Sequence, residues 1–387
     1  MLTDPPAPAS TTSPSAGPTS TSPVARGRVK DGVPVGHPHT GPGARAAAAN
    51  YVTVLNSPAM VTSTGRARSV AVMTADSGKE MLQRHAAEAG TRLRAIDTAG
   101  GDPSSLFART GVLSSELLGV TSETATVRLW VTTVAGHTTG RTVPASAFRS
   151  VTVGLRWERA DWKVASISDD GGLVPSADVR QATNAPADFD RVSADAADPI
   201  AAGTADADGV PAPYDRTDAG ARAAATTAAQ FYGDPRFYAS AQWRHRMLTA
   251  ITSAGALPTA RSDADRTADL VVTNRGLGED GRTADGGLLI TRTAVLSTRM
   301  VSYSPSAAAV ELWTASVGGV AGDTERMRPQ VSYLRMAVDL VWERGSWRVT
   351  NLRASEPLVP TPATATAVVP ASAFAAVGGV DHAPATS

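Results

Sequence analysis

The stretch Leu155-Arg-Trp157-Glu-Arg-Ala-Asp-Trp162-Lys-Val164 returns near the other end of the chain as Leu340-Val-Trp342-Glu-Arg-Gly-Ser-Trp347-Arg-Val349. Each copy alternates apolar and polar residues with period two on both sides of a break. The break falls at Arg159-Ala160-Asp161 in the first copy and at Arg344-Gly345-Ser346 in the second. Both read as antiparallel hairpins with one half-buried face. The first turn has no glycine, which leaves its type open.

Working outward, more blocks match in the same order. Asp31-Gly-Val-Pro34, Thr40 and Gly43-Ala-Arg-Ala-Ala-Ala48 correspond to Asp208-Gly-Val-Pro211, Thr217 and Gly220-Ala-Arg-Ala-Ala-Ala225. Val112-Leu-Ser114 matches Val295-Leu-Ser297, and Val127-Arg-Leu-Trp130 matches Val310-Glu-Leu-Trp313. Each copy closes on Leu-Val-Pro, at 173–175 and 358–360. Chance does not place so many blocks in one order at nearly constant offsets, so the chain is a tandem repeat. The expected domains are 31–175 and 208–360.

The pattern predicts helices first and strands after. Thr40 and Thr217 stand before Ala-rich runs and are expected to be N-caps. Ala44, Ala47, Ala48, Tyr51 and Leu55 fall on one helical stripe. A second helix is expected from Ser77, with Glu80 completing a capping box and Met81, Leu82, Ala86, Ala89 and Leu93 facing inward. Val127, Leu129 and Val131 then share one strand face. So do Val151, Val153, Leu155 and Trp157, and Met336, Val338, Leu340 and Trp342 in the second copy. Helices followed by a meander of three or four strands give an α+β fold, here as two tandem domains.

The flanks differ in kind. Sixteen of the first 23 residues are Pro, Ser or Thr, so 1–30 is expected to be a disordered stalk. Segment 176–207 is expected to be an acidic, solvated linker, and 361–387 a disordered tail. The charge balances at 36 basic against 36 acidic residues, which argues against a nucleic-acid surface. There is no cysteine, so disulfides, thiolate metal sites and cysteine nucleophiles are excluded. No apolar run is long enough to span a membrane. The head has no basic or apolar leader region. An extracytoplasmic, cell-envelope location is expected if the gene encodes an apolar segment upstream of Met1, and a cytoplasmic one otherwise.

Helices followed by a curved antiparallel sheet, ending in a Trp-x-x-x-(Asp/Ser)-Trp-(Lys/Arg)-Val hairpin, resemble the nuclear transport factor 2-like superfamily. The tandem copies are similar to the extracytoplasmic domains of assembly proteins from type IV secretion and Gram-positive conjugation machinery. The lead-in Asp31-Gly-Val-Pro-Val-Gly-His-Pro-His-Thr40 is similar to uncharacterised high-GC bacterial proteins. The resemblance implies two cone-shaped domains whose helices pack into the concave face of a bent sheet. It also implies that the domains can pack on each other, or on another copy, through sheet faces. Fold alone does not set function.

Six of the seven tryptophans lie on predicted strands or hairpins, and Trp243 is the exception. Their expected role is packing helices onto sheets. His37 and His39 flank Pro38 as a metal pair would, but the second copy has Tyr214 and Arg216 there and no third ligand is close in sequence. The fold is expected to need neither histidine. His85, His137 and His245 have no counterparts in the other repeat. The sequence contains no Gly-rich phosphate loop, Gly-x-Ser-x-Gly or His-Glu-x-x-His motif. We therefore read no catalytic set, cofactor or metal. Arg236, Phe237, Tyr238, Trp243, Arg244 and Arg246 have the Arg-plus-aromatic composition of an interface hot spot and are the expected partner-docking residues. The function expected is a non-enzymatic docking subunit for other proteins, at the cell envelope in a conjugation or secretion system. The rival is a small apolar-ligand module or enzyme using one cone.

Overall fold

The computed structural model describes residues 28–96, 105–138, 144–169, 171, 173–177, 209–211, 213–322 and 327–362. The expected stalk up to Gly27, the linker between Ala177 and Gly209 and the tail beyond Pro362 lie outside these residues.

The chain enters through a two-stranded ribbon, β1 (Arg28–Lys30) and β2 (Val33–Val35). Its turn places Asp31 and Gly32 at φ 50° and 78°, the pair of left-handed residues a two-residue hairpin needs. Three helices follow: α1 (Gly41–Leu55), α2 (Ser63–Met73) and α3 (Lys79–Ile96). Four long strands complete the first unit: β3 (Leu106–Val120), β4 (Thr124–His137), β5 (Ala145–Glu158) and β6 (Asp161–Asp169). A short strand, β7 (Ser176–Ala177), ends it. The second unit repeats the plan with α4 (Asp218–Phe231), α5 (Arg236–Ala239), α6 (Ala241–Ile251) and α7 (Leu257–Arg275). Its strands are β8 (Leu288–Tyr303), β9 (Ala307–Ala321), β10 (Gln330–Glu343), β11 (Ser346–Pro357) and the short β12 (Thr361–Pro362). The fold is α+β in two tandem units.

The caps form where the sequence places them. Thr40 Oγ1 accepts from Gly43 N at 3.1 Å and Thr217 Oγ1 from Gly220 N at 3.0 Å. Both glycines are also forced by space. A Cβ on Gly43 would lie 2.0 Å from Pro38 O, and one on Gly220 2.0 Å from Asp215 O. The lead-in therefore lies flat on the first helical turn. The second expected helix begins two residues later than read, at Lys79, because Asp76–Gly78 form a 3-10 turn. A Cβ on Gly78 would meet Val164 O at 2.6 Å, so the turn is pressed against β6. Helix α2 escaped the periodicity reading because only its last turn, with Val70, Val72 and Met73, turns inward.

Each four-stranded meander is bent by β-bulges at corresponding places. The register shifts between Val112 and Ser114, Leu117 and Gly119, and Gly154 and Leu155. In the second sheet it shifts between Val295 and Ser297, Met300 and Ser302, and Asp339 and Leu340. An extra residue on one strand bends and twists it, and three such residues at shared positions curve each sheet around its helices. The concave faces bury Val127, Leu129, Val153 and Trp162 against α1 to α3, and Val310, Leu312, Val338 and Trp347 against α4 to α7.

The convex faces pack on each other. Phe107, Leu113, Trp130, Val134 and Phe148 from the first sheet share one apolar cluster with Leu296, Trp313, Val317 and Tyr333 from the second. Trp130 and Trp313 thus seal the seam between units, rather than joining helix to sheet as expected. A Cβ on Gly111 would lie 2.8 Å from the Cβ of Ala294. These two occupy equivalent positions on β3 and β8, so a pseudo-twofold axis passes beside them.

The Leu-Val-Pro ends cross the seam. Trp130 Nε1 donates to Leu173 O at 3.1 Å, and Leu173, Val174, Leu358 and Val359 join the shared cluster. β7 then pairs in parallel with β10 of the second unit, and β12 with β5 of the first. Each unit lends the other a strand.

Candidate functional site

The hairpin tryptophans fasten the lead-in to the cone. Trp162 Nε1 donates to Pro38 O at 2.9 Å, and Trp347 Nε1 donates to Asp215 O at 3.0 Å. Both indoles are fully buried. Trp157 stacks on His39 with centroids 4.0 Å apart, and Trp342 lies under Arg216 at 5.4 Å. His39 also bonds the Ser122 carbonyl through Nε2. The Arg159-Ala160 turn has φ 54° and 56°, and the Arg344-Gly345 turn has φ 52° and 75°. Both are two-residue turns of the kind that matches strand twist, and the first is made without glycine.

Around the first of these fastenings lies a buried polar cluster that sequence reading missed. Asp161 Oδ1 accepts the His37 backbone N–H at 3.0 Å and sits 2.9 Å from His37 Nδ1. Lys163 Nζ donates to Asp161 Oδ2 at 3.0 Å. Tyr51 OH donates to Trp162 O at 2.6 Å, and the Asn50 amide lies 3.1 Å from His37 Nε2. An Asn50 donor at Nε2 and Asp161 at Nδ1 together select the imidazole tautomer with its proton on Nδ1. His37, Asn50, Asp161 and Lys163 are all buried. The fold therefore uses His37, contrary to the expectation. Burial alone would raise the Asp161 carboxyl, but the His37 and Lys163 hydrogen bonds outweigh it and hold the group below the usual carboxylate range. Burial first, then Asp161, pushes the Tyr51 phenol far up.

The second unit answers position by position. Tyr214 N donates to Ser346 Oγ at 3.0 Å, and Tyr214 OH donates to Thr227 Oγ1 at 2.6 Å. Tyr214 stands for His37, Ser346 for Asp161 and Thr227 for Asn50. Burial pushes the Tyr214 phenol up to about 12. The signal was present in sequence as the Asp161/Ser346 and His37/Tyr214 differences, but nothing local says that these positions meet.

The expected docking residues divide on folding. Phe237 and Trp243 lie in the second core, with Phe231 between them at 5.1 and 5.6 Å. Arg244 is buried and clamps α6 to α7, donating to Asp265 Oδ1 at 2.6 Å and to Phe237 O at 2.6 Å. Arg236 lies over Trp243 at 4.3 Å and pairs with Asp234 at 2.6 Å. Tyr238 is half-buried, and Arg246 is exposed. Solvent thus meets Arg246 and parts of Arg236 and Tyr238.

The remaining histidines are separate. His245 Nε2 sits 2.8 Å from Asp265 Oδ2, and His137 Nδ1 is 2.8 Å from Ser105 Oγ inside the first unit. Burial, then Arg92, lowers His85 on α3. Among the described residues no group of three or more acidic or histidine side chains is placed to hold a metal. No helix among them is long and apolar enough to cross a membrane.

A family model described as a domain of unknown function, DUF8175, matches residues 6–186, the head and first unit. A search of the curated proteins finds no match. Among solved structures, the chain is similar to an IcmL-like type IV secretion system protein from Legionella pneumophila, at 12% identity and TM-score 0.27, over 35% of this chain and 90% of that one. It is similar to the intermembrane space region of the chloroplast protein ARC6, at 12% identity and TM-score 0.23, over 34% and 88%. It is also similar to an Ntf2-like protein involved in plasmid conjugation, at 8% identity and TM-score 0.19, over 81% and 97%. At these scores the functional reading rests on the chain's own residues.

Proposed function

We propose that the protein is a non-enzymatic docking subunit, a two-lobed block that holds other proteins on its helical surfaces. The observation that carries this reading is how the polar groups inside the cones are used. The side chains with catalytic chemistry, His37, Asp161, Lys163 and Tyr51, are spent on one another and on backbone groups. In the second unit Tyr214 and Ser346, at the positions of His37 and Asp161, are spent the same way. Paired groups of this kind fix a shape, whereas a general base must present a free lone pair to a substrate. The shared seam and the lent strands join the two lobes into one body, which suits a spacer or scaffold.

The finer reading places the subunit at the cell envelope, in a conjugation or secretion assembly, in line with the resemblance of its tandem Trp hairpins. Its docking surface is the solvent-facing part of the expected cluster, Arg246 with the exposed edges of Arg236 and Tyr238. Photo-cross-linking in the native host, with a cross-linker at position 246, tests it. The expected result is one predominant protein adduct that Arg236→Ala with Tyr238→Ala weakens. Absence of any adduct, with a small molecule retained by the purified chain in native mass spectrometry, would replace this reading with the ligand-binding one.

A further inference from the structure

The outer face of α3 forms a shallow depression lined by Arg84, Ala87, Glu88, Thr91 and Arg92. On the sheet side of this helix, Arg149 of β5 pairs with Asp169 of β6 at 2.5 Å, both largely shielded from solvent. Burial, and then the neighbouring Arg149, push the Arg92 guanidinium below its ordinary value, while Asp169 and Glu88 act the other way. His85, two turns before, is lowered by burial and by Arg92. Among the described residues, three guanidiniums and an imidazole gather on and behind this helix with two carboxylates, one of them already engaged by Arg149. Cations crowded in a partly desolvated place repel one another, and an added anion relieves that repulsion.

The second unit shows that the fold does not require this cluster. By strand register, Arg149 and Asp169 correspond to Leu334 and Ala354. Thr74 and Thr252 make equivalent bridges to Val164 and Val349, and α3 and α7 each start five residues later. That count aligns Arg92 with Leu270 and His85 with Asp263. Leu270, Leu334 and Ala354 carry no charge, so Arg92, Arg149 and Asp169 belong to the first unit alone, whereas the helix keeps an ion pair between Asp263 and Arg266.

We propose that this face of α3 binds a small multivalent carboxylate, gripped by Arg84 and Arg92 with Arg149 behind them. Guanidinium forks match carboxylate geometry in pairs of parallel hydrogen bonds. The site is independent of the docking reading, since it lies on the other unit from Arg246.

Citrate is the probe, titrated calorimetrically into the full chain at low salt, with acetate at equal ionic strength as the control. The expected result is one citrate site per chain and no measurable acetate binding. The triple variant Arg92→Leu, Arg149→Leu, Asp169→Ala carries what the second unit has at the corresponding positions. It is expected to bind citrate about tenfold more weakly or worse. Arg84→Ala, on an exposed position, is expected to weaken binding several-fold with unchanged circular dichroism, and it carries the test if the triple variant does not fold. Equal citrate affinity in wild type and variants, equal heats from acetate, or no heat from wild type at about 10 mM citrate would each overturn the proposal.

Discussion

Asp161 and Ser346 occupy the same corner of two matching hairpins, and both receive the backbone N–H of the lead-in, from His37 and from Tyr214. The first corner is ionic: a carboxylate held by a lysine and an imidazole inside the protein. The second puts a hydroxyl and a phenol in place of the carboxylate and imidazole, with Arg348 near the phenol at the position of Lys163. One fold therefore accepts two chemistries for the same fastening. What the position requires is an acceptor for a buried N–H. What differs is the penalty for losing it, because charges left without a partner cost more to bury than dipoles do.

The largest expected effect breaks the comparison at that corner. Asp161→Ala leaves Lys163 buried without its counter-ion and His37 without its acceptor, and is expected to cost about 3–5 kcal/mol in urea unfolding. Ser346→Ala removes one neutral acceptor and is expected to cost about 1 kcal/mol. Equal losses at the two sites would show that charge is not what separates the units.

Acid sharpens the same contrast. The folded Asp161 carboxyl is held below its unfolded value, so the stability it contributes is fully present above that value, about pH 4, and drains away as pH falls toward the folded one. Wild type is expected to lose stability below about pH 4 more steeply than Asp161→Asn, whereas Ser346→Ala is expected to follow the wild-type slope. Urea midpoints measured from pH 5 down to pH 2.5 decide this.

The seam offers a reciprocal test. Gly111→Ala puts a methyl 2.8 Å from Ala294 Cβ and is expected to cost about 1–2 kcal/mol. Adding Ala294→Gly exchanges the two residues across the pseudo-twofold axis and is expected to recover most of that loss. A double variant no better than the sum of the singles would remove the axis from this contact.

A cross-strand ion pair is reversed between the units. Glu116 lies 3.6 Å from Arg128, while its counterpart position holds Arg299, paired with Glu311. Glu311 is also 3.2 Å from Arg335 and nearly buried. Glu311→Gln is expected to cost about 1–2 kcal/mol, and Glu116→Gln, with one looser partner, less than about 1 kcal/mol by the same unfolding measurement. The smallest effect is in the turns. Ala160→Gly relieves a left-handed alanine and is expected to stabilise by about 0.5–1 kcal/mol, and Gly345→Ala to destabilise by a similar amount. If neither midpoint moves, the turns do not differ in strain.

Much of this architecture was legible in order of appearance along the chain. Thr40 and Thr217 cap helices as read because a cap depends on residues three positions apart. Strand faces followed from alternation, and the repeat followed from blocks held in one order. The reading failed where partners are distant in sequence. Phe237, Trp243 and Arg244 have the composition of a hot spot, yet they are core, because Phe231 and Asp265 come to meet them. His37 looked dispensable because its partner lies on the far hairpin. Leu-Val-Pro was visible twice without a purpose until the strands beyond it were seen to cross to the opposite unit.

The sequence by itself determined that two copies of one α+β unit stand in tandem, with helices before strands and a Trp hairpin closing each. Period, caps and repetition are local or self-similar properties, and a single chain displays them in full. Only the tertiary structure decided which faces are spent: that the convex sheets cover each other, that Trp130 and Trp313 belong to the seam, and that Asp161 fastens the lead-in to the closing hairpin. Burial and pairing are settled by what arrives from elsewhere in the chain, and neither composition nor spacing at one position records that arrival.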